Sequence, residues 1–339
     1  MPPTTPASPS LAARLWRRGF SPAANAAMTK LAVIGVGHLG RHHARILSAM
    51  PDVELVGVVD LNQERAEQIA GINGTRVVRE AADLLGRTDG VVIATPTESH
   101  SAVARPFLEA GMAVLIEKPL ARSMAEADEL VRLASSGQAL LAVGHTERFN
   151  PAVAAARPLL TSPRFIEVHR LGAFPDRSLD IDVVFDLMIH DLDVVLSIVA
   201  SRVAAIDAVG VPVLTPKIDI ANVRLRFESG CIANLTASRI SRDRVRKIRF
   251  FQPESYVAID YAAQEVELWR LVRQPAGMPT IEGGPVPVTS AEPLKRELED
   301  FVEAIRQQRA PAVTGEDGRR ALALAQDISH RMVLTTTAS

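Results

Sequence analysis

The stretch Leu31-Ala32-Val33-Ile34-Gly35-Val36-Gly37-His38-Leu39-Gly40 decides the fold that we expect for this chain. Its first four residues are apolar and mostly branched, which predicts a short buried strand of a parallel sheet. The next six match the pattern G-x-G-x-x-G, and a helix is predicted over 38–50. A second apolar run, over 54–59, ends at Asp60, 20 residues after Gly40. The predicted order is therefore strand, glycine turn, helix, strand and acid.

Each position in this turn has a physical role in binding a dinucleotide. Gly35 permits the tight turn, Gly37 leaves room for a pyrophosphate to approach the backbone, and Gly40 lets the helix pack closely on the strand. The free N–H groups at the helix N-terminus attract phosphate. Asp60 is placed to accept hydrogen bonds from the adenosine ribose hydroxyls. Three glycines alone would indicate only a turn, but the flanking strand, helix and acid predict a dinucleotide site.

Asp60 also favours one nicotinamide cofactor over the other. A carboxylate repels the 2′-phosphate of NADP, whereas NADP sites usually offer a nearby arginine. Leu61, Asn62 and Gln63 follow Asp60 directly, and Arg65 comes later on the next predicted helix. The sequence therefore predicts NAD as the cofactor.

Composition limits the classes of function. The 339 residues suffice for two domains, and the net charge of −1 gives no electrostatic reason to expect a nucleic-acid partner. No apolar run reaches the ~18 residues that span a bilayer. The single cysteine, Cys231, cannot form an internal disulfide, and no cysteine cluster suggests zinc. We expect a soluble cytoplasmic protein with no metal site.

Residues 1–27 differ in composition from the rest of the chain. They are rich in Pro, Ala and Ser, contain three arginines and no acid, and resemble an organellar transit peptide. We interpret them as a disordered tail or the product of an early start codon. The first domain is then expected to begin at Met28.

The order of the predicted elements indicates an α/β protein with two domains. Apolar runs alternate with helical patterns up to Val143, which predicts a doubly wound parallel sheet, a Rossmann domain, over 28–150. Beyond Pro151 strand patterns follow one another, and two helices end the chain. These features predict a second, α+β domain over 151–335 with an open, mostly antiparallel sheet.

Lys118 stands between Glu117 and Pro119 at the end of a predicted buried strand. Loops at the carboxyl ends of parallel strands form the ligand crevice of a doubly wound sheet. An ammonium group there can hydrogen-bond both the nicotinamide ribose and a substrate hydroxyl. A solvated loop lysine is the alternative. The loop over 95–100 is expected in the same crevice.

Asp186 and His190 lie four residues apart on a helix predicted over 183–199, so they are expected to share a face. A carboxylate hydrogen-bonded to an imidazole fixes its tautomer and raises its basicity, which suits a general base. The neighbouring residues are apolar, which disfavours a surface ion pair. A metal site is conceivable, but no third ligand is evident.

Taken together, Gly35-x-Gly37-x-x-Gly40, Glu117-Lys118-Pro119 and Asp186-x-x-x-His190 resemble the glucose–fructose oxidoreductase/inositol dehydrogenase/MocA (Gfo/Idh/MocA) family. The resemblance implies an NAD(P)-dependent enzyme that oxidises a secondary alcohol of a sugar or cyclitol. It implies a homodimer or homotetramer formed through the open sheet. It also implies that Lys118 and Asp186 contact substrate and that His190 accepts the proton. The motif and the resemblance together predict these cofactor-binding residues: Gly35, Gly37, His38, Leu39, Gly40, Asp60, Thr95, Pro96, Thr97, His100, Glu117 and Lys118.

A narrower resemblance covers 144–151, 186–193 and 234–239. These segments are similar to the branch whose members oxidise the C3 hydroxyl of UDP-N-acetylglucosamine with NAD. That branch implies a downstream pyridoxal-phosphate (PLP) aminotransferase in lipid A synthesis. An inositol or other sugar dehydrogenase, a reductase of an unsaturated or tetrapyrrole substrate, and a non-catalytic NAD(H)-sensing regulator stay open as alternatives.

Several basic residues favour an anionic substrate. The predicted substrate-binding residues are Lys118, Arg148, Asn150, Arg177, Asp186 and His190, with Arg177 in a possible lid over 174–177. The basic run comprises Arg239, Arg242, Arg244, Arg246, Lys247 and Arg249. Such a run suits a diphosphate, although a solvated strand face is the more usual origin of such a pattern.

Overall fold

The computed structural model describes residues 28–174, 181–274 and 278–334. The predicted tail, 1–27, and most of the predicted lid, with Arg177, lie outside these ranges. The described chain forms a five-stranded sheet, the first sheet, and a nine-stranded sheet, the second sheet. This α/β architecture confirms the predicted fold class. The boundary between domains at residue 150 stays a prediction.

The first sheet is parallel throughout and carries its helices between strands. Its strands are β1 (Thr29–Ile34), β2 (Val53–Val59), β3 (Gly90–Ile93), β4 (Ala113–Glu117) and β5 (Leu141–Gly144). Its helices are α1 (Gly40–Ala49), α2 (Gln63–Ile72), α3 (Thr97–Glu109) and α4 (Met124–Gly137). The strand order is β2-β1-β3-β4-β5, so the direction of winding changes between β1 and β3. Ligands of doubly wound sheets bind at that switch point.

Local boundaries in the first sheet differ from those predicted. Helix α1 begins at Gly40, so His38 belongs to the turn before it. Helix α3 begins at Thr97, which places Thr97 and His100 in a helix instead of the predicted loop. Pro96 precedes α3 with a φ of −57°, a value that the proline ring imposes and that suits a helix start.

The second sheet is mostly antiparallel. Its strands, numbered along the chain, are β6 (Phe165–Leu171), β7 (Val203–Val211), β8 (Ile220–Phe227), β9 (Ile232–Ser238), β10 (Val245–Gln252), β11 (Ser255–Asp260), β12 (Glu265–Val272), β13 (Thr280–Val286) and β14 (Val333–Leu334). Parallel pairing occurs between β6 and β9 and between β7 and β14. The order is β13-β12-β11-β10-β6-β9-β8-β7-β14. Strand β13 was not predicted, because Gly283, Gly284 and Pro285 have low strand propensity.

One face of the second sheet is covered and the other is open. Alternate residues of β8 are buried, as the period of two in a pleated strand requires. The covering elements include helix α5 (Pro151–Ala156), a π turn (Val184–Met188) and helix α6 (Ile189–Ile198). A single continuous helix was predicted over 183–199, and the π turn at its start is the main departure.

The last two helices, α7 (Pro293–Gln307) and α8 (Gly315–Arg331), return the chain to the first sheet. Phe301 of α7 lies in one apolar cluster with Leu31 of β1. Gly318 of α8 has no room for a side chain, since a Cβ there would lie 2.6 Å from Val143. The two sheets are therefore held together by the C-terminal segment as well as by the chain crossing at α5. Among the described helices, none combines the length and hydropathy needed to cross a bilayer.

Candidate active site

A cavity of about 1070 Å³ lies where the carboxyl ends of the first sheet face the covered side of the second. Leu39 from the glycine turn, Thr97 from α3 and Lys118 after β4 line it from one side. Asp186 and His190 line it from the other. The structure therefore brings together predicted residues that are up to 151 positions apart in sequence, as Leu39 and His190 are.

The glycine turn has the geometry that a dinucleotide requires. Gly35 has a φ of +85°, which disfavours other residues, and a Cβ on it would lie 2.8 Å from the Ala94 backbone. A Cβ on Gly40 would lie 1.8 Å from the Gly35 carbonyl oxygen, so α1 packs directly on the turn. Among the described residues other than Gly37 and its two chain neighbours, no atom lies within 4 Å of the position that a Cβ on Gly37 would take. The residues present thus fit a pyrophosphate beside Gly37, at the start of α1.

Asp60, at the end of β2, is hydrogen-bonded on both carboxylate oxygens. Oδ2 accepts the Val36 N–H at 2.8 Å, and Oδ1 accepts the Asn62 N–H at 2.8 Å. Arg65 donates to both oxygens, at 2.6 and 3.1 Å. Burial acts to raise the pKa of Asp60, but these hydrogen bonds outweigh it and the pKa is lowered. Sequence reasoning missed the contact between Arg65 and Asp60. Asn62 caps α2 by accepting a hydrogen bond from the Arg65 N–H, which places Arg65 in the first turn of the helix, close to the end of β2.

Lys118 connects the two sides of the cavity. Its Nζ donates a hydrogen bond to the carbonyl oxygen of Asp186 at 2.7 Å and lies 3.4 Å from the Asp186 carboxylate. The Lys118 side chain is 14% exposed, so it is not a solvated loop lysine. Its ammonium group is held at the site where the two halves of the molecule meet.

His190 lines the cavity but does not form the hydrogen bond predicted with Asp186. Its Nδ1 is enclosed and, within the described part of the chain, has no hydrogen-bond partner. The intervening π turn, which is wider than an α-helical turn, takes Asp186 off the face predicted for His190 and leaves its carboxylate near Lys118. Burial lowers the pKa of His190 well below its ordinary value, and the charges of Lys118 and Arg170 lower it further. The imidazole is therefore neutral near pH 7 and able to accept a proton.

Glu117 lines the cavity, yet its carboxylate bonds inward. Oε1 lies 2.7 Å from Nε2 of His43 on α1, and Oε2 accepts the Lys118 N–H at 3.3 Å. Glu297 of α7 lies beside this pair. One ring nitrogen of His43 and one carboxylate oxygen each of Glu117 and Glu297 lie within 4.8 Å of one another. Burial raises the pKa of Glu297 well above its ordinary value, and the charge of Glu117 raises it further. This buried cluster supports the Lys118 loop from behind and was not predicted.

The other predicted cofactor residues take different positions. Thr97 and Leu39 line the cavity. His100 is buried, with Nε2 2.9 Å from the Thr95 carbonyl and Nδ1 3.1 Å from the Pro119 carbonyl, so it ties together two cavity loops. The His38 ring packs edge-on against His42, with centroids 6.1 Å apart.

Two predicted substrate-binding residues are engaged in internal contacts instead. Arg148 lies 3.2 Å from the buried Asp193 carboxylate and donates to the Ala312 carbonyl at 3.2 Å. Asn150 caps α5 and donates to the Tyr261 carbonyl at 3.0 Å. A buried carboxylate and a helix N-terminus both need such partners. Asn150 also lines the cavity, and a role of Arg148 and Asn150 in binding substrate stays a prediction.

Arg170 and Tyr261 line the cavity and were missed by sequence reasoning. Arg170 makes two hydrogen bonds to Asp191, at 2.6 and 2.9 Å, and one to Glu147 at 3.0 Å. Its guanidinium lies 5.3 Å from the Tyr261 ring centroid. The available signal was Arg170 itself, which shares the buried face of β6 with Ile166 and Val168.

Comparison with known proteins agrees with this geometry. Residues 29–145 match the family model described as the GFO/IDH/MocA oxidoreductase family with an NAD-binding Rossmann fold, and 127–252 match the GFO/IDH/MocA C-terminal domain. UDP-N-acetylglucosamine 3-dehydrogenase from Acidithiobacillus ferrooxidans is 39% identical over 87% of this chain and 95% of its own.

Two further comparisons extend the result. A solved structure of that A. ferrooxidans enzyme covers 90% of this chain and 98% of its own, with a TM-score of 0.85 and 37% identity. Inositol 2-dehydrogenase from Rhizobium meliloti is 27% identical over 87% of this chain and 94% of its own. The chain therefore belongs to the GFO/IDH/MocA oxidoreductase family and is a dehydrogenase that acts on CH–OH groups.

Proposed function

We propose that this protein oxidises the C3 hydroxyl of UDP-N-acetylglucosamine to a ketone, with NAD as the hydride acceptor. The observation that carries the proposal is the 39% identity, over 87% of the chain, to a relative named for that reaction. The cavity supports it, because it contains a lysine and a neutral histidine on opposite walls.

The proposed chemistry removes a hydride and a proton from one carbinol. NAD, when bound, supplies the acceptor for the hydride. His190 accepts the hydroxyl proton as the C–O bond becomes a carbonyl, since its imidazole is neutral. Lys118 places a positive charge beside the oxygen and stabilises the negative charge that develops there. Asp186 holds that ammonium group in position through its carbonyl oxygen.

NAD is proposed over NADP because Asp60 ends β2 with a carboxylate whose pKa is lowered. An ionised carboxylate at that position disfavours a 2′-phosphate. Arg65 pairs with Asp60 and partly offsets this charge.

A homo-oligomer formed through the open face of the second sheet is part of the proposal. On that face Phe251 pairs with Tyr256, and Tyr256 pairs with Trp269, in a row across β10, β11 and β12. Phe251 is 37% exposed and Trp269 38% exposed. Aromatic side chains so exposed are typical of interfaces, and light scattering would establish the subunit number.

A ketone product also suits the PLP aminotransferase, in lipid A synthesis, that the resemblance implies as the next enzyme.

The test is NADH formation with a panel of substrates. We expect absorbance of NADH on adding UDP-N-acetylglucosamine, and a sugar product that lacks two hydrogens by mass spectrometry. An inositol dehydrogenase, the alternative supported by the 27% identical relative, would respond to myo-inositol instead. A non-catalytic NAD sensor would bind NAD and respond to neither compound.

A further inference from the structure

The pleat of β10 divides the basic run into two groups. Ile248 and Phe250 of this strand are fully buried on the covered face of the second sheet. Arg246 is even-numbered like these two residues and therefore lies on the same face of the strand, and Arg244, just before the strand, follows the same alternation. Lys247 points to the open face, as does Arg249, the next odd-numbered cation. The period of two thus sends Arg244 and Arg246 toward the cavity, which both line.

The two groups differ in their ion pairs. On the open face, Lys247 lies 3.3 Å from Asp260, and Arg249 lies 2.8 Å from Glu167. Among the described residues, the guanidinium groups of Arg244 and Arg246 have no ion-pair or hydrogen-bond partner, although the Arg246 carbonyl accepts the Tyr261 N–H within the sheet. The cations on the open face are therefore paired with carboxylates on a solvent-exposed strand surface. The charges of Arg244 and Arg246 are not balanced by a carboxylate among the described residues.

The surroundings of Arg246 leave that charge available to a ligand. Arg170 lies opposite it in the register of β6 and β10, but Arg170 is neutralised by Asp191 and Glu147. Arg239, farther along the cavity, is paired with Asp219 at 2.8 Å. Arg246 and His190 both line the cavity, and the positive charge of Arg246 adds to the effects of burial, Lys118 and Arg170 that lower the pKa of His190.

The acids of the cavity do not compensate these cations. Glu147 pairs with Arg170, Asp186 faces Lys118, Glu117 bonds to His43, and Glu292 pairs with Arg45. Glu98, on α3 beside the cofactor turn, is the other described carboxylate that lines the cavity. Within the described ranges, Arg244 and Arg246 are therefore cavity cations without a carboxylate partner.

We propose that Arg244 and Arg246 bind the diphosphate of a nucleotide-sugar substrate. This assignment rests on the proposed function, because it takes His190 as the group that meets the sugar C3 hydroxyl. In a nucleotide sugar the diphosphate is attached at C1, separated from C3 only by C2, so it must lie close to the proton acceptor. Two guanidinium groups match two phosphates in charge and in paired N–H geometry. A neutral cyclitol would leave both charges unmatched.

The test compares Arg246→Ala and Arg244→Ala with the matched control Lys247→Ala on the same strand. Loss of a charge-assisted hydrogen bond should raise the KM for UDP-N-acetylglucosamine by about 10- to 100-fold in each cavity variant. The kcat and the KM for NAD should stay within about twofold of wild type. Lys247→Ala should leave all three constants unchanged. Arg246→Lys keeps the positive charge but loses the paired N–H groups, so its KM for UDP-N-acetylglucosamine should lie between those of wild type and Arg246→Ala. Thermal unfolding of each variant should match wild type if the substitution leaves the fold intact.

Binding of UDP, measured by calorimetry in the presence of NADH, separates this assignment from the proposed function. Wild type should bind UDP, and both arginine variants should bind it at least about 10-fold more weakly. If UDP binds in this way but another nucleotide sugar is the substrate, the C3 proposal fails and the diphosphate site stands. If wild type oxidises UDP-N-acetylglucosamine while both variants keep its KM, the diphosphate site is refuted and the function stands. Failure of wild type to bind UDP also refutes the site.

Discussion

Lys118 and Asp186 meet across the cavity, the Lys118 Nζ donating to the Asp186 carbonyl oxygen at 2.7 Å. The contact joins the end of β4 in the first sheet to the π turn that covers the second. It aims the ammonium group at the space that His190 also lines. Because the acceptor is a backbone carbonyl, the position of Lys118 depends on the π turn as well as on the side chain of Asp186.

Replacing Lys118 should impair chemistry more than cofactor binding. Lys118→Ala removes the charge that stabilises the developing oxyanion, and loss of one such group lowers kcat by about 100- to 1000-fold. The Kd for NAD, measured by fluorescence, should change by less than about fivefold. Arg122→Ala is the control, since Arg122 also lines the cavity but pairs with Glu126. Equal losses of NAD binding and kcat in Lys118→Ala would contradict the assigned role.

His190 should act as a base whose activity extends to low pH. Burial, Lys118 and Arg170 all lower its pKa, so the neutral form persists below pH 6.5, the ordinary value. The acid limb of kcat/KM should therefore lie below pH 6.5. In the residual activity of Lys118→Ala the limb should move to higher pH, because a positive charge near the imidazole has been removed.

His190→Asn tests whether His190 is this base, and His169→Asn, on the open face of β6, is its control. General-base catalysis contributes about 100- to 10,000-fold, so His190→Asn should lower kcat by that factor. The control should be fully active. An acid limb that survives unchanged in His190→Asn would show that another group titrates.

Arg65 should set the strength of discrimination between the cofactors. Arg65 occupies both oxygens of Asp60 and is itself 46% exposed, so a ribose must displace it to reach the carboxylate. Arg65→Ala should tighten NAD binding by about two- to tenfold and weaken NADP binding by about tenfold or more. Glu64→Ala, at an exposed neighbouring position, is the control. Weaker NAD binding in Arg65→Ala would show that the arginine supports the NAD site.

Glu297 should make the fold less stable as pH rises. Its pKa is raised above the ordinary value of 4.5, so above that pH the unfolded chain releases a proton that the folded chain retains. Unfolding is then favoured progressively, by up to about 1.4 kcal/mol per pH unit, until the folded carboxyl ionises too. Glu297→Gln should remove this loss, so in urea unfolding its stability relative to wild type should increase as the pH rises above 4.5. The same measurement on Glu299→Gln, at an exposed position of α7, should show no trend; a parallel trend would refute the assignment.

Much of the fold was predictable because its signals are local. Strands β6 and β7 occur at the predicted bounds, Phe165–Leu171 and Val203–Val211, since alternation marks a half-buried strand directly. The π turn was not predictable, because a run of apolar residues from Val183 onward has the same pattern whether the turn is α or π. That difference decides whether Asp186 bonds to His190 or stands beside Lys118.

The site contacts that sequence reasoning missed are those between residues far apart in sequence. Arg148 and Asp193 are 45 positions apart, and Arg170 and Asp191 are 21 apart. Nothing local distinguishes a buried arginine that neutralises a carboxylate from one that awaits a substrate. The pleat of β10 was available in the sequence, and it becomes informative only when one face of the strand is known to border the cavity.

The most direct test of the account uses UDP-N-acetylglucosamine deuterated at C3, incubated with the protein and NAD. The account predicts that the deuterium is recovered in NADH, that the sugar product carries a ketone at C3, and that turnover by Lys118→Ala and His190→Asn falls together. NADH without deuterium, or a complex that binds both compounds and forms no NADH, would contradict it.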